Sequence, residues 1–182
     1  MATIEPSAKL APLADHQTHS DVERFLVLEA ELLDNLRLQE WSELLTDDFT
    51  YEVPVGVTWD NPDRIPYSSD FFFVEEDRHS LDLWLDRMSP DNREYAWGEN
   101  PSQRLRHFIT NVRARWKENG AELDVRSNLL FSFTRLTNPS VLVTGERNDL
   151  LRRNETGSWK LARRVVYLDQ TVQDLQHMHL IF

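Results

Sequence analysis

The sequence predicts an α+β protein with its helices first and a long antiparallel sheet after them. Three observations carry this. Apolar residues recur at helical spacing in the first quarter of the chain; the pattern turns to period two at Arg104 and keeps it to Leu168; and turn signals divide that second stretch. Strands of about 12–14 residues curl, and bulges bend them further. A sheet so bent, closing on a long helix, makes a cone with a pocket inside.

Residues 1–17 lack periodicity, contain Pro6 and Pro12, and are expected to form a flexible arm ahead of a single domain over 18–182. Ser20-Asp21-Val22-Glu23 fits a capping box opening the first helix, with Val22, Phe25, Leu26, Leu33 and Leu36 on one face and Leu28 and Leu32 widening it. A second short helix is expected to hold Trp41, Leu44 and Leu45. Phe49, Tyr51, Val53 and Val55 alternate with polar residues and Pro54 as a strand, and Pro54 requires an edge or a bulge at that end. Residues 56–70 read as a long loop and Phe71 to Val74 as a short strand. Leu81, Trp84, Leu85 and Met88 then mark a helix capped by Asp77 or Ser80. Four strands follow, over 105–116, 122–135, 141–152 and 159–168. They are separated by turns at Asn119-Gly120, Asn138-Pro139 and Asn154 to Gly157.

The 182 residues suit one domain, and 40% apolar with 28% charged residues is a globular composition. There is no cysteine, which excludes disulfides, thiolate nucleophiles and cysteine-ligated clusters held by this chain alone. No apolar run approaches the ~20 residues of a membrane span, and no basic-then-apolar leader is visible, so a cytoplasmic protein is expected. The net charge of −11 is uneven: residues 1–90 carry −14 and residues 91–182 carry +3. An acidic chain repels phosphate backbones, so nucleic acid and anionic membranes are poor partners.

Few residues point to chemistry by themselves. Glu29 falls on the apolar face of the first helix, where a carboxylate is either functional or held by a buried partner; Arg106, Arg113 and Arg164 are the candidates. His107, inside a strand, is either a hydrogen-bonded core histidine or a general base served by an aspartate. His177-Met178-His179 implies no third metal ligand. Trp97, Glu99, Asn100, Arg104, Arg106, His107 and Asn111 gather at a loop-to-strand junction that either fixes the loop or contacts another subunit. No nucleophile elbow, phosphate loop or dinucleotide fingerprint is present.

Seven segments, in order over about residues 22–182, resemble the small (beta) subunits of aromatic-ring-hydroxylating dioxygenases, the Rieske non-haem iron terminal oxygenases. They are Glu29-Ala30-Glu31-Leu32-Leu33-Asp34, Trp97-Gly98-Glu99-Asn100-Pro101-Ser102, Arg106-His107-Phe108-Ile109-Thr110-Asn111-Val112, Val125-Arg126-Ser127-Asn128, Gly145 to Arg153, Trp159 to Arg164 with Leu168-Asp169-Gln170, and Leu180-Ile181-Phe182. The resemblance implies a cone-like fold of the nuclear transport factor 2 type and an assembly of three large and three small subunits. It places the Rieske 2Fe-2S cluster, the mononuclear iron and the substrate pocket in the large (alpha) subunit. It gives the small one a structural role without catalytic or metal-binding residues, in the catabolism of aromatic compounds. The His177-Met178-His179 tail and the loop from Asp60 to Asp70 depart from the family pattern. The competing expectation is a stand-alone cone-fold dehydratase, isomerase or small-molecule binder using His107 with Glu29 or Asp48.

Overall fold

The computed structural model describes residues 11–61, 63–89, 92, 103–171 and 181–182. Helices α1 (His16–Asp34) and α2 (Leu38–Ser42) lead into β1 (Leu45–Gly56) and β2 (Tyr67–Asp77). Helix α3 (Arg78–Arg87) follows, then β3 (Arg104–Trp116), β4 (Glu122–Thr134), β5 (Val141–Arg153) and β6 (Trp159–Leu168). One six-stranded sheet runs in the order β2-β1-β6-β5-β4-β3, antiparallel except where β1 lies parallel to β6. Among the described residues no helix is long and apolar enough to cross a membrane.

Helix α1 begins before the predicted capping box. Asp15 is the cap, its carboxylate accepting from the Thr18 amide at 3.0 Å and the Thr18 hydroxyl at 2.6 Å. The polar turn His16 to His19 hides this start, because the apolar stripe opens only at Val22. Residues just ahead of the helix are laid along β3, where the Ala14 amide donates to the Ala114 carbonyl and Arg115 Nε donates to that of Ala11. The other end of α1 closes with Leu36 at φ 55°, as the Leu36 and Arg37 amides return to the Leu33 and Leu32 carbonyls.

Two further boundaries differ from expectation. Leu45 opens β1 instead of ending the second helix, and β2 extends well beyond Phe71 to Val74 in both directions. As an edge strand with half-exposed faces, β2 carries no clean alternation to read. Pro54 does sit between two register shifts against β2, as a residue without an amide hydrogen requires. Asp77 and Ser80 together form the capping box of α3.

Along β4 the alternation is regular. Leu123, Val125, Leu129, Phe131 and Phe133 of β4 face inward and meet Val22, Phe25, Leu26, Leu32 and Leu33 of α1 in one core. Gly120, at φ 65°, makes the β3–β4 turn. Gly145 of β5 allows a close approach, because a Cβ there would lie 2.5 Å from the Tyr167 carbonyl oxygen. Register shifts at Thr110/Arg113 and Leu150/Leu151 bend the sheet. Asn111, at φ 52°, occupies the first of these bulges, in a conformation that asparagine tolerates better than most residues.

Candidate functional site

Inside the sheet, where a ligand would sit in a hollow cone, lies a cluster of four charged side chains. Glu29 comes from α1, Arg147 and Asp149 from inward positions of β5, and Arg164 from β6, directly opposite Asp149 in register. Glu29, Arg147 and Arg164 are 0% exposed and Asp149 is 3%. Arg164 grips both acids. Its Nη1 and Nη2 donate to Glu29 at 2.8 and 2.7 Å, and its Nε and Nη2 donate to Asp149 at 2.8 and 2.9 Å. Arg147 Nη2 donates to Glu29 at 2.5 Å and to Asp149 at 3.2 Å, and the Trp41 indole donates to Glu29 at 3.1 Å. Two arginines and two acids cancel formally, which is the condition under which charges can be buried at all. Burial pushes the Asp149 carboxyl up to about 7, with Arg147 opposing that rise and Glu29 adding to it. Burial likewise raises the Tyr51 phenol. Arg147 Nε and Nη1, and the Oγ of Ser127 opposite Arg147 in register, are buried and find no hydrogen-bond partner among the described residues.

Ile181 and Phe182 fill the space beside this cluster. The Phe182 amide donates to the Tyr51 hydroxyl at 3.1 Å, Arg164 Nη1 reaches the Phe182 carbonyl oxygen at 3.4 Å, and the Phe182 ring meets Phe131 edge-on at 5.2 Å. Among the described residues, the space beside the cluster, where sequence reasoning places a pocket, is occupied by the protein's own side chains. The inward cavity bounded by Leu33, Leu38, Trp84, Leu105 and Ile181 has a volume of only ≈ 20 Å³. A larger one, ≈ 380 Å³, lies at the end of the sheet between the β1–β2 connection and the end of β6. Trp59, Arg64, Tyr67 and Asp169 are among its lining residues, and among the described residues no histidine lines it.

His107 is a core residue. Its Nδ1 is 2.7 Å from Asp34 Oδ1 and its Nε2 is 2.8 Å from the Ile181 carbonyl oxygen, while its own amide donates to Asp34 at 3.1 Å. The ring packs on Phe131 at 4.8 Å. A general base needs a lone pair turned toward substrate; each nitrogen here faces an oxygen acceptor.

Of the other predicted residues, Arg106 lies 3.6 Å from Asp34 and is largely exposed, and Arg104 makes no ion pair among the described residues. Arg113 pairs with Glu146 at 3.2 Å, so Arg164 alone of the three candidates reaches Glu29. Asp48 is exposed and pairs with Arg152 at 2.5 Å, outside the core. Trp97, Glu99, Asn100, His177 and His179 lie outside the described residues. Sequence reasoning missed Arg147 as a partner of Glu29, and Asp149 as the second acid that the two arginines hold. Their signal was parity: both share the inward face of β5 with Val143 and Gly145.

The donor set for a Rieske cluster, two thiolates and two imidazoles, does not fit a chain without cysteine. Among the described residues no group of three or more histidines and carboxylates could hold a metal ion.

A long helix and a curved mixed sheet around buried ion pairs give a cone-like fold of the nuclear transport factor 2 type, with a packed core among the described residues. Comparison with known proteins narrows the class. Residues 28–174 match the family described as ring hydroxylating beta subunit. The benzene 1,2-dioxygenase subunit beta of Pseudomonas putida is 32% identical over 165 residues, covering 90% of this chain and 87% of that one. The biphenyl 2,3-dioxygenase subunit beta of Rhodococcus jostii is 33% identical over 171 residues, covering 90% and 87%. The chain belongs to this family, the beta subunits of aromatic ring-hydroxylating dioxygenases, which are oxidoreductases. Its fold is also that of a chain of naphthalene 1,2-dioxygenase solved with indole in the active site (TM-score 0.80, 24% identity, 93% and 88% covered). A putative scytalone dehydratase from Novosphingobium aromaticivorans shares the fold at TM-score 0.61, with 17% identity and 91% and 93% covered.

Proposed function

We propose that this chain acts as the non-catalytic brace of its dioxygenase. It holds iron-bearing large subunits in an assembly of three large and three small chains and contributes no bond-breaking group. The observation that carries this reading is the filled interior, where a dehydratase of similar shape would need open space. Glu29 is spent on Arg147 and Arg164, His107 on Asp34 and Ile181, and Phe182 is fully buried. The competing enzyme reading needs His107 and an acid to converge on a substrate, whereas Asp48 lies at the surface and Glu29 is locked. Relatives named for benzene and biphenyl support an aromatic ring as the compound dihydroxylated by the complex, in cytoplasmic catabolism. The Rieske cluster and mononuclear iron would then be held by the large subunit.

The test is expression of the full chain alone and together with the large-subunit gene. Equal-amount co-purification, and no turnover of aromatic or hydroxylated substrates by the chain alone, is the expected result. Turnover by the isolated chain, or full oxygenation by large subunits without it, would overturn the reading.

A further inference from the structure

The cavity of ≈ 380 Å³ at the end of the sheet lies apart from the buried charge cluster and holds side chains that the brace reading leaves unused. Its volume is that of a small-molecule site. One wall is the connection between β1 and β2, residues 57–66, most of which falls in the stretch that departs from the family pattern. That connection is held in shape by its own hydrogen bonds. The Val57 amide donates to the Pro66 carbonyl oxygen at 2.8 Å, the Arg64 amide to that of Asn61 at 3.3 Å, and the Trp59 indole to that of Ile65 at 3.0 Å. An indole so fixed, yet 43% exposed, offers its ring surface as a ready anchor.

The opposite wall belongs to β2 and the end of β6. Tyr67 packs on Tyr167 with ring centroids 4.8 Å apart and donates its one hydroxyl proton to the Leu168 carbonyl oxygen at 3.2 Å. The phenolic oxygen is left to accept. The Asp169 amide is tied to the Thr144 carbonyl oxygen at 2.9 Å, which fixes the backbone that carries the Asp169 carboxylate.

Two opposite charges on this cavity are unspent. The Arg64 guanidinium lies 4.5 Å over the Trp59 ring but makes no hydrogen bond or ion pair among the described residues, and neither does the Asp169 carboxylate. A second arginine stacks on a tryptophan in the same way, Arg153 on Trp159 at 4.5 Å, and there the guanidinium donates to the Gly157 carbonyl oxygen at 3.4 Å. Stacking therefore does not by itself leave a guanidinium idle. At Arg64 the in-plane N–H groups, those that hold a carboxylate bidentately, are open. Arg64 and Asp169 line one cavity without pairing with each other, so each is available to a different end of a ligand between them.

We propose that this cavity binds an aromatic carboxylic acid bearing ring hydroxyl groups, its carboxylate held by Arg64, its ring packed against Trp59 and Tyr67, and its hydroxyl protons given to Asp169 and the Tyr67 oxygen. Each part of the ligand answers one part of the site. A ring without hydroxyls would take water from the Asp169 carboxylate and return no donor, and a ligand without an acid would leave the Arg64 fork empty. Binding of this kind breaks no bond, so it goes beyond the brace reading and does not depend on it.

The test is isothermal titration of the purified full chain, at neutral pH, with 3,4-dihydroxybenzoate, benzoate, cyclohexanecarboxylate and phenylalanine. Dihydroxybenzoate is expected to bind at one site per chain, with benzoate about tenfold weaker or more for want of hydroxyl donors, and cyclohexanecarboxylate weaker again for want of a flat ring. Arg64→Gln and Asp169→Ala should each weaken the dihydroxybenzoate site about tenfold or more. Arg153→Gln, which removes the other stacked arginine, should leave it unchanged. Circular dichroism establishes that each variant is folded. No binding of dihydroxybenzoate, binding of benzoate or phenylalanine as tight as that of dihydroxybenzoate, or folded Arg64 and Asp169 variants that bind as wild type does would overturn the proposal. The brace reading is decided separately, by co-purification with the large subunit, and neither result bears on the other.

Discussion

Glu29→Gln removes one negative charge from a cluster wholly withdrawn from water and leaves two guanidinium groups facing Asp149 alone. In the wild type Glu29 accepts three hydrogen bonds from Arg147 and Arg164 and a fourth from Trp41. Glutamine keeps the shape but turns an amide NH2 toward donors and strands a positive charge. Breaking a buried pair from one side costs about 3–5 kcal/mol. In a domain of this size each kcal/mol moves the melting temperature by about 2–4 °C, so a fall of roughly 6–20 °C is expected in thermal unfolding followed by circular dichroism. The second arm adds Arg147→Met to the variant, restoring neutrality. Glu29→Gln with Arg147→Met is expected to be less destabilised than the sum of the two single changes, a favourable coupling in the double-mutant cycle. A single-variant loss under about 1 kcal/mol, or strict additivity, would refute the argument that charge balance holds this core together.

Asp149 gives a pH signature. Its folded pKa is raised above the unfolded value, so the unfolded state releases its proton first, and this group's contribution to stability declines as pH rises from about 4 to about 7 and then levels off. Across that window the wild type should therefore lose stability relative to Asp149→Asn in urea unfolding, and the two should run parallel above it; parallel curves throughout, or a wild type that gains, would contradict the assignment. His107→Ala should cost about 2–4 kcal/mol in denaturant unfolding, from lost packing and an unpaired buried carbonyl. It should leave kcat/KM per assembled dioxygenase unchanged, and a selective loss of kcat would return the ring to the candidate bases. Gly145→Ala should destabilise by more than 1 kcal/mol, because the added Cβ collides with the Tyr167 backbone, and a neutral result would show that the strands can part there. Asp77→Ala should lower stability by about 1 kcal/mol through loss of the α3 cap, read as a shift of about 2–4 °C in melting temperature.

The legible parts of this fold are those where one physical signal dominates. From Arg104 onward apolar alternation and turn residues together place β3 to β6 within a residue or two, even though β6 is buried on both faces over part of its length. Asp77 was readable as a cap because a helix stripe follows it at once, whereas the true cap at Asp15 precedes a polar turn with no stripe to announce it. Strand β2 was shortened because an edge with both faces half-exposed shows no alternation. Glu29 was recognisable as a buried acid from helical parity, but strand parity alone misplaces Arg113: it is in step with the inward Leu105 and His107, and the bulge at Asn111 turns it outward to Glu146, leaving Arg164 and Arg147 to hold Glu29. The entry of Ile181 and Phe182 into the core, which turns an expected pocket into packing, depends on contacts with Tyr51, His107 and Phe131 far away in the sequence, and no local pattern reports it.

The parallel pairing of β1 with β6 sets the order in which this polypeptide can mature. Emerging from the ribosome, β1 and β2 can pair as a hairpin, but Glu52 has no neighbour on its other side until Val165 has been synthesised. Pairings so distant in sequence slow folding and leave an open strand border while they are awaited. Truncation between β5 and β6 would strand two half-sheets, β2-β1 and β5-β4-β3, so such partial chains should aggregate or be degraded instead of persisting as smaller folded units.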